Sequence, residues 1–227
     1  SAHFDLIVPD LLGHGHSTPN WAGNSVLAQV AHLNMLLDSL GVKEPVFLVG
    51  NSYGGAIAAN FAERHPERVR ALVIYDGPAS DYTRAQADSV AKSRGAADIR
   101  ELLSPTTTDG QLRAFQTAFL HPPKLPRFAI RQYNQTCIVP YRDAHLRLMD
   151  DLLARESEFA TKVYRWPMPV YVIWGANDGL IPISTGFGIM RRSNVPADHW
   201  IVIDDCGHIA NREKPEEFEA ILLRILK

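Results

Sequence analysis

The chain has 227 residues, 46% of them hydrophobic and 21% charged, which is enough apolar material for one substantial core. Its 23 Lys and Arg stand against 25 Asp and Glu, so no basic excess is available for a phosphate backbone, and nucleic acid is excluded as an expected partner. Two cysteines, Cys137 and Cys206, cannot build a disulfide framework or a four-ligand zinc site and are expected as buried free thiols.

Phe4-Asp5-Leu6-Ile7-Val8 is a short apolar run closed by Pro9, and it predicts a buried strand followed by a turn-rich loop through Gly13-His14-Gly15. From Val26 the period changes. Val30, Leu33, Leu37 and Leu40 recur at helical spacing and the pattern stops at Gly41. Pro45–Val49 predicts a second strand and Gly55–Arg64 an Ala-rich helix. Val69–Tyr75, Val170–Trp174 and His199–Ile203 predict three further strands. Helices are expected over Ile183–Arg191 and Pro215–Leu226, the latter opened by its proline. Between Pro78 and Trp166 the alternation breaks into helical patches at Ile99–Leu103, Gly110–Phe119 and Ala144–Phe159. The expected class is therefore α/β, a mostly parallel sheet formed by residues 1–77 and 166–227, with residues 78–165 inserted as a helical lid.

Gly50-Asn51-Ser52-Tyr53-Gly54 has the G-x-S-x-G spacing between a Val-rich strand and a helix. A serine at the apex of such a turn exposes its hydroxyl, and small residues two before and two after it let strand and helix close. The first N–H of the new helix, that of Tyr53, faces the place where an oxyanion would develop. A nucleophilic Ser52 needs a base. His208, in the loop Asp204-Asp205-Cys206-Gly207-His208 after the last strand, is the candidate. His32 and His65 fall in helices, while His14 and His16 are available as walls of a site. Asp178, in Gly175-Ala176-Asn177-Asp178, leaves the end of another strand and is the expected orienting acid, with Asp205 as its rival.

With these motifs in order along the chain, the sequence resembles the α/β-hydrolase superfamily over nearly its whole length. Phe4–Ser17 resembles the fourth strand and its glycine loop, and Leu48–Gly55 the nucleophile elbow. Tyr171–Pro182 resembles the acid strand and loop, and Val202–His208 the histidine loop. Asn51, the glycine pair Gly54-Gly55 and Cys206-Gly207-His208 are closest in flavour to the meta-cleavage-product hydrolases, which cleave a carbon–carbon bond in 2-hydroxy-6-oxo-dienoates. Two features depart from that pattern: Ile209 stands where tryptophan is usual, and the lid arginine that binds the substrate carboxylate is matched only by Arg155. Lid aromatics such as Phe115, Phe119, Phe128, Tyr133 and Tyr141, with Met149, can shape an apolar pocket or simply pack the lid on the sheet. The expected substrate-binding set is Asn51, Phe119, Tyr133, Arg155 and Ile209.

The resemblance implies a serine hydrolase with no metal and no organic cofactor, acting on a small molecule. Carboxylesterases and lactonases share the same residues, as do acyltransferases and hydrolase-like receptors. It also implies that the family's first three strands are missing before Phe4. An upstream segment of about 40–80 residues, present in the same chain or as a separate one, is expected to supply them and the second oxyanion donor. No apolar run approaches the roughly 18 residues of a membrane span. A cytoplasmic setting without membrane contact is expected, and a homodimer is compatible with the composition.

Overall fold

Four Val/Ile/Leu-rich runs become strands: β1 (Val46–Asn51), β2 (Val69–Tyr75), β3 (Val170–Gly175) and β4 (Trp200–Ile203). They form one sheet in the order β1-β2-β3-β4, with every neighbouring pair parallel. The computed structural model describes residues 3–17 and 25–227.

Strand periodicity sends alternate side chains to opposite faces, and here both faces are covered. Leu72, Ile74, Val172 and Trp174 pack with Val26, Ile57, Phe61 and Ile189 on one side. Ala71, Val73, Tyr75 and Ile173 pack with Ile203, Phe218 and Ile221 on the other. The first face is covered by α1 (Val26–Ser39), α2 (Tyr53–Arg64) and α9 (Ile183–Ser193), the second by α11 (Pro215–Ile225). The Ser25 hydroxyl accepts from Ala28 N–H to start α1, and Gly41, at φ +69°, follows its end.

Between β2 and β3 the chain leaves the sheet and forms six helices: α3 (Arg84–Ser93), α4 (Ile99–Leu103), α5 (Thr108–Ala118), α6 (Arg127–Tyr133), α7 (Arg142–Ala154) and α8 (Glu156–Ala160). Thr83 and Gln86 form a capping box that opens the first of them. The predicted patch at Ala144–Phe159 is divided at Arg155, which caps α7 and opens α8. A short helix, α10 (Ala210–Glu213), precedes α11.

Two expectations are corrected. Phe4–Val8 is not a strand; it joins no ladder, and Leu6 and Val8 are 66% and 87% exposed. An extended apolar run becomes a strand only when a neighbour satisfies its N–H and C=O groups, and among the described residues none lies alongside in register. Phe4 reaches the sheet with its ring, edge-on to Phe47 at 5.7 Å. Cys137 is exposed because it lies in the π-helical turn Asn134–Ile138 at the lid surface, whereas Cys206 is buried. Burial pushes the Cys206 thiol up to about 12, so it is held neutral. No helix of the described residues is long and apolar enough to cross a membrane.

Parallel register decides where the chemistry lies. Asn51 pairs with Tyr75, Tyr75 with Ile173, and Gly175 with Ile203, so the carboxyl ends of all four strands align. The residues that follow those ends are brought to one edge of the sheet.

Candidate functional site

Ser52 leaves β1 at φ +51° and ψ −125°, a conformation that non-glycine residues rarely adopt. The bend is held by Ser52 N–H donating to Tyr75 O at 3.2 Å and by Gly55 N–H donating back to Ser52 O at 2.8 Å. A side chain at Gly50 would collide with the Gly54 carbonyl. Gly54 itself has open space where a Cβ would stand, so its small size is not what lets the turn close. The second close approach belongs to Gly55, whose added Cβ would lie 3.0 Å from Gly77 Cα. Tyr53 opens α2, and its N–H has no carbonyl one turn back to bond.

His208 Nδ1 lies 2.8 Å from Asp178 Oδ2, with the two side chains 4% and 0% exposed. A carboxylate can only accept, so Nδ1 carries a hydrogen, and the neutral imidazole has its lone pair at Nε2. Asp178 Oδ1 accepts from Leu180 N–H at 2.8 Å and Ile181 N–H at 2.9 Å, so backbone donors orient the carboxylate. His208 Nε2 is buried and has no hydrogen-bond partner among the described residues, Ser52 included. The rival acid Asp205 points elsewhere, to His121 Nε2 at 2.9 Å and Lys214 Nζ at 3.0 Å.

Two carboxyls that sequence reasoning did not single out complete this edge. Glu213 Oε1 accepts from Gly207 N–H at 2.9 Å, and its Oε2 from Leu120 and His121 N–H at 2.9 and 3.1 Å. It ties the histidine loop to the end of α5, as does His208 N–H donating to Ala118 O at 2.8 Å. Asp76, at φ +50° just past β2, is fully buried and accepts from Gly175 N–H at 2.9 Å. Its other oxygen, Oδ2, meets no donor among the described residues, while the carboxyl lies beside that of Asp178, both residues bonding Gly175. Burial first, and the charge of Asp178 second, push the Asp76 carboxyl far above the usual carboxylate range.

Ser52 opens into a cavity of about 200 Å³ between the sheet and the lid. Leu148, Met149, Leu152 and Leu153 of α7 line it with Ile99, Leu103, Leu180 and Ile181, so its wall is mainly apolar. Tyr53 and Ser104 contribute buried hydroxyls that have no hydrogen-bond partner among the described residues. His14 also lines it, with its ring centroid 4.6 Å from that of His145. Burial lowers both imidazoles, that of His145 to about 4, so the pair is neutral at neutral pH.

The residues expected to bind substrate lie elsewhere. Asn51 donates its side-chain amide to Tyr75 O at 3.2 Å and His208 O at 3.4 Å, a bridge between elbow and histidine loop rather than a cavity wall. Arg155 is held by Glu158 through contacts of 2.7 to 2.9 Å and does not reach the cavity. Phe119 and Tyr133 cluster with Phe115 at 6.2 and 5.3 Å, and Ile209 caps α10; none of these lines the cavity. Of the lid residues expected to shape the pocket, Met149 does so. The signal for the rest was the helical spacing of Leu148 and Leu152 with Glu156, one face of consecutive turns.

The chain is 30% identical over 224 residues to a 2-hydroxymuconate semialdehyde hydrolase of Pseudomonas putida, covering 97% of this chain and 76% of that protein. It is 26% identical over 216 residues to Lipase 1 of Psychrobacter immobilis, covering 94% of this chain and 66% of that lipase, just under two thirds of its length. Among solved structures, a meta-cleavage product hydrolase superposes with a TM-score of 0.81 at 18% identity, covering 99% of this chain and 80% of that one. Residues 1–215 match the alpha/beta hydrolase fold family as a whole, and it is to this family that the chain belongs.

Proposed function

We propose that the chain carries the catalytic centre of a serine hydrolase, with Ser52 as nucleophile, His208 as general base and Asp178 as the acid that orients it. The observation that carries this reading is the buried 2.8 Å contact between His208 Nδ1 and Asp178 Oδ2, which leaves the Nε2 lone pair free to take a proton. Ser52 Oγ attacks a carbonyl carbon as His208 removes its proton, and Tyr53 N–H donates to the oxyanion. His208 then protonates the leaving group and activates the water that releases the acid.

The favoured substrate is a 2-hydroxy-6-oxo-dienoate-type diketone, supported by similarity to the 2-hydroxymuconate semialdehyde hydrolase over 97% of this chain. The proton of the substrate's 2-hydroxyl first moves to carbon as that O–H bond breaks, giving the keto form. The bond from Ser52 to the carbonyl carbon then forms, the carbon–carbon bond breaks, and its electron pair leaves into the conjugated enolate. A second reading, hydrolysis of a small apolar ester, is supported by the largely apolar cavity wall and by the lipase relative.

Wild type and Ser52→Ala, assayed on short p-nitrophenyl esters and on a dienoate ring-cleavage product, test both readings. Dienoate turnover reduced by about 10⁴-fold or more in Ser52→Ala is expected, the scale of losing a triad member. Fast ester turnover with an inert dienoate selects the second reading. Turnover that survives the substitution sinks both.

A further inference from the structure

The buried pair formed by Asp76 and Asp178 poses a question of proton placement. Two carboxylates in contact, both out of water, repel strongly, and one of them must hold a proton at neutral pH. The donors decide which. Asp178 accepts three N–H bonds, from Leu180, Ile181 and His208, which together stabilise its anion. Asp76 accepts one, from Gly175, and its Oδ2 has no donor among the described residues. An ionised Asp76 leaves that oxygen buried and unsatisfied, whereas a protonated Asp76 turns the same oxygen into a donor with an acceptor beside it.

From this geometry we infer that Asp76 is a neutral carboxylic acid whose O–H donates to the Asp178 carboxylate and thereby positions the acid that orients His208. Resting on the proposed triad, this makes Asp76 a positioning residue, for it touches Asp178 rather than substrate. Its site is built for the task. Asp76 N–H donates to Ile173 O at 3.1 Å and its Oδ1 accepts from Gly175 N–H, so the residue is pinned across the ends of β2 and β3. Asp178 N–H donates to Gly175 O at 3.2 Å, so both carboxyls are anchored on the same glycine. Glu213, Tyr75 and Cys206 also act on or feel Asp76, and none is a cation that would stabilise its ionised form; His208 bonds the Asp178 carboxylate on the side of Nδ1.

The sign of the pH effect follows. The folded protein keeps the Asp76 proton at pH values where the unfolded chain has lost it. The stability this contributes is complete below the ordinary carboxyl range and declines as pH rises toward and through the raised value.

Infrared difference spectroscopy of the wild-type chain between neutral and strongly alkaline pH tests the inference directly. A carboxylic-acid carbonyl band present at neutral pH, lost at alkaline pH and missing in Asp76→Asn is expected. A neutral-pH spectrum without that band overturns the inference, whatever the activity. The kinetic arm compares Asp76→Asn, whose amide keeps a donor and cannot ionise, with Asp76→Leu, which has none. On whichever substrate the wild type turns over, Asp76→Asn is expected to retain about tenfold more kcat than Asp76→Leu at similar KM. Equal losses in the two variants overturn the positioning role. If Asp76→Leu does not fold, the infrared band and the thermal stability of Asp76→Asn, which should decline less with rising pH than that of wild type, decide. The Ser52→Ala assay reads the triad independently, so failure of one reading is separable from failure of the other.

Discussion

The two sides of the Ser52 hydroxyl are built by different physics. On one side, Asp178 and Glu213 are fixed by main-chain donors: Asp178 takes two N–H bonds from the loop after β3, and Glu213 takes three, from the histidine loop and the residues just past α5. On the other side, the cavity is walled by the side chains of Leu103, Leu148, Met149 and Leu152, which offer apolar surface rather than directional bonds. The contrast separates reactivity from selectivity. A change at a strand end should alter the rate on every substrate, while a change on α7 should alter which substrate is accepted.

The largest effect is expected at Asp178. In Asp178→Asn the amide oxygen can still accept from Leu180 and Ile181, which turns the amide NH₂ toward His208 Nδ1. The imidazole must then present its lone pair at Nδ1 and its hydrogen at Nε2, the wrong tautomer for a base. A fall in kcat of about 10⁴-fold, with the fold retained by circular dichroism, is the expected outcome. A loss below about tenfold would break the comparison, because the strand-end side would not be controlling reactivity.

A smaller and selective effect is expected on the lid side. Leu152 lines the cavity from α7, and Leu152→Trp would fill part of its volume of about 200 Å³. On a homologous series of acyl chains or of dienoate ring substituents, kcat/KM should drop about 10- to 100-fold for the bulkiest members and little for the smallest. A uniform drop across the series would mean that the lid shapes the reacting groups as well, and the separation would dissolve.

This contrast also explains how much of the molecule could be read from its amino acids. The strands β1 to β4 and the elbow are local features, each an apolar run or a bend closed by its own turn residues, and they lie where the pattern places them. Asp178 and His208 follow strand ends that align in any parallel sheet, so their meeting was predictable from chain order. Asp76 was not, because Asp76-Gly77-Pro78 reads as an ordinary turn and its contact with Asp178 depends on the register of β2 against β3. The cavity wall is hidden for a different reason. Phe119 and Tyr133 are aromatic lid residues that could face a pocket or a neighbour, and lid packing sets them against Phe115. Phe4–Val8 has the composition of a strand, but a strand is a property of two segments, and composition describes one.

The smallest effect should come from Asp205, the rival acid. It stands only three residues before His208 in the sequence, at φ +50°, a conformation asparagine also tolerates. His121 and Lys214 hold its carboxyl below the usual range, at an exposed position. Asp205→Asn therefore leaves the loop backbone unstrained, removes a surface charge, and touches neither Asp178 nor the imidazole. Its kcat and the pH profile of its turnover should overlay those of wild type, measured beside Asp178→Asn on the same substrate. If instead Asp205→Asn lowers kcat as Asp178→Asn does, the imidazole takes its orientation from its own loop, and the strand-end account of reactivity fails.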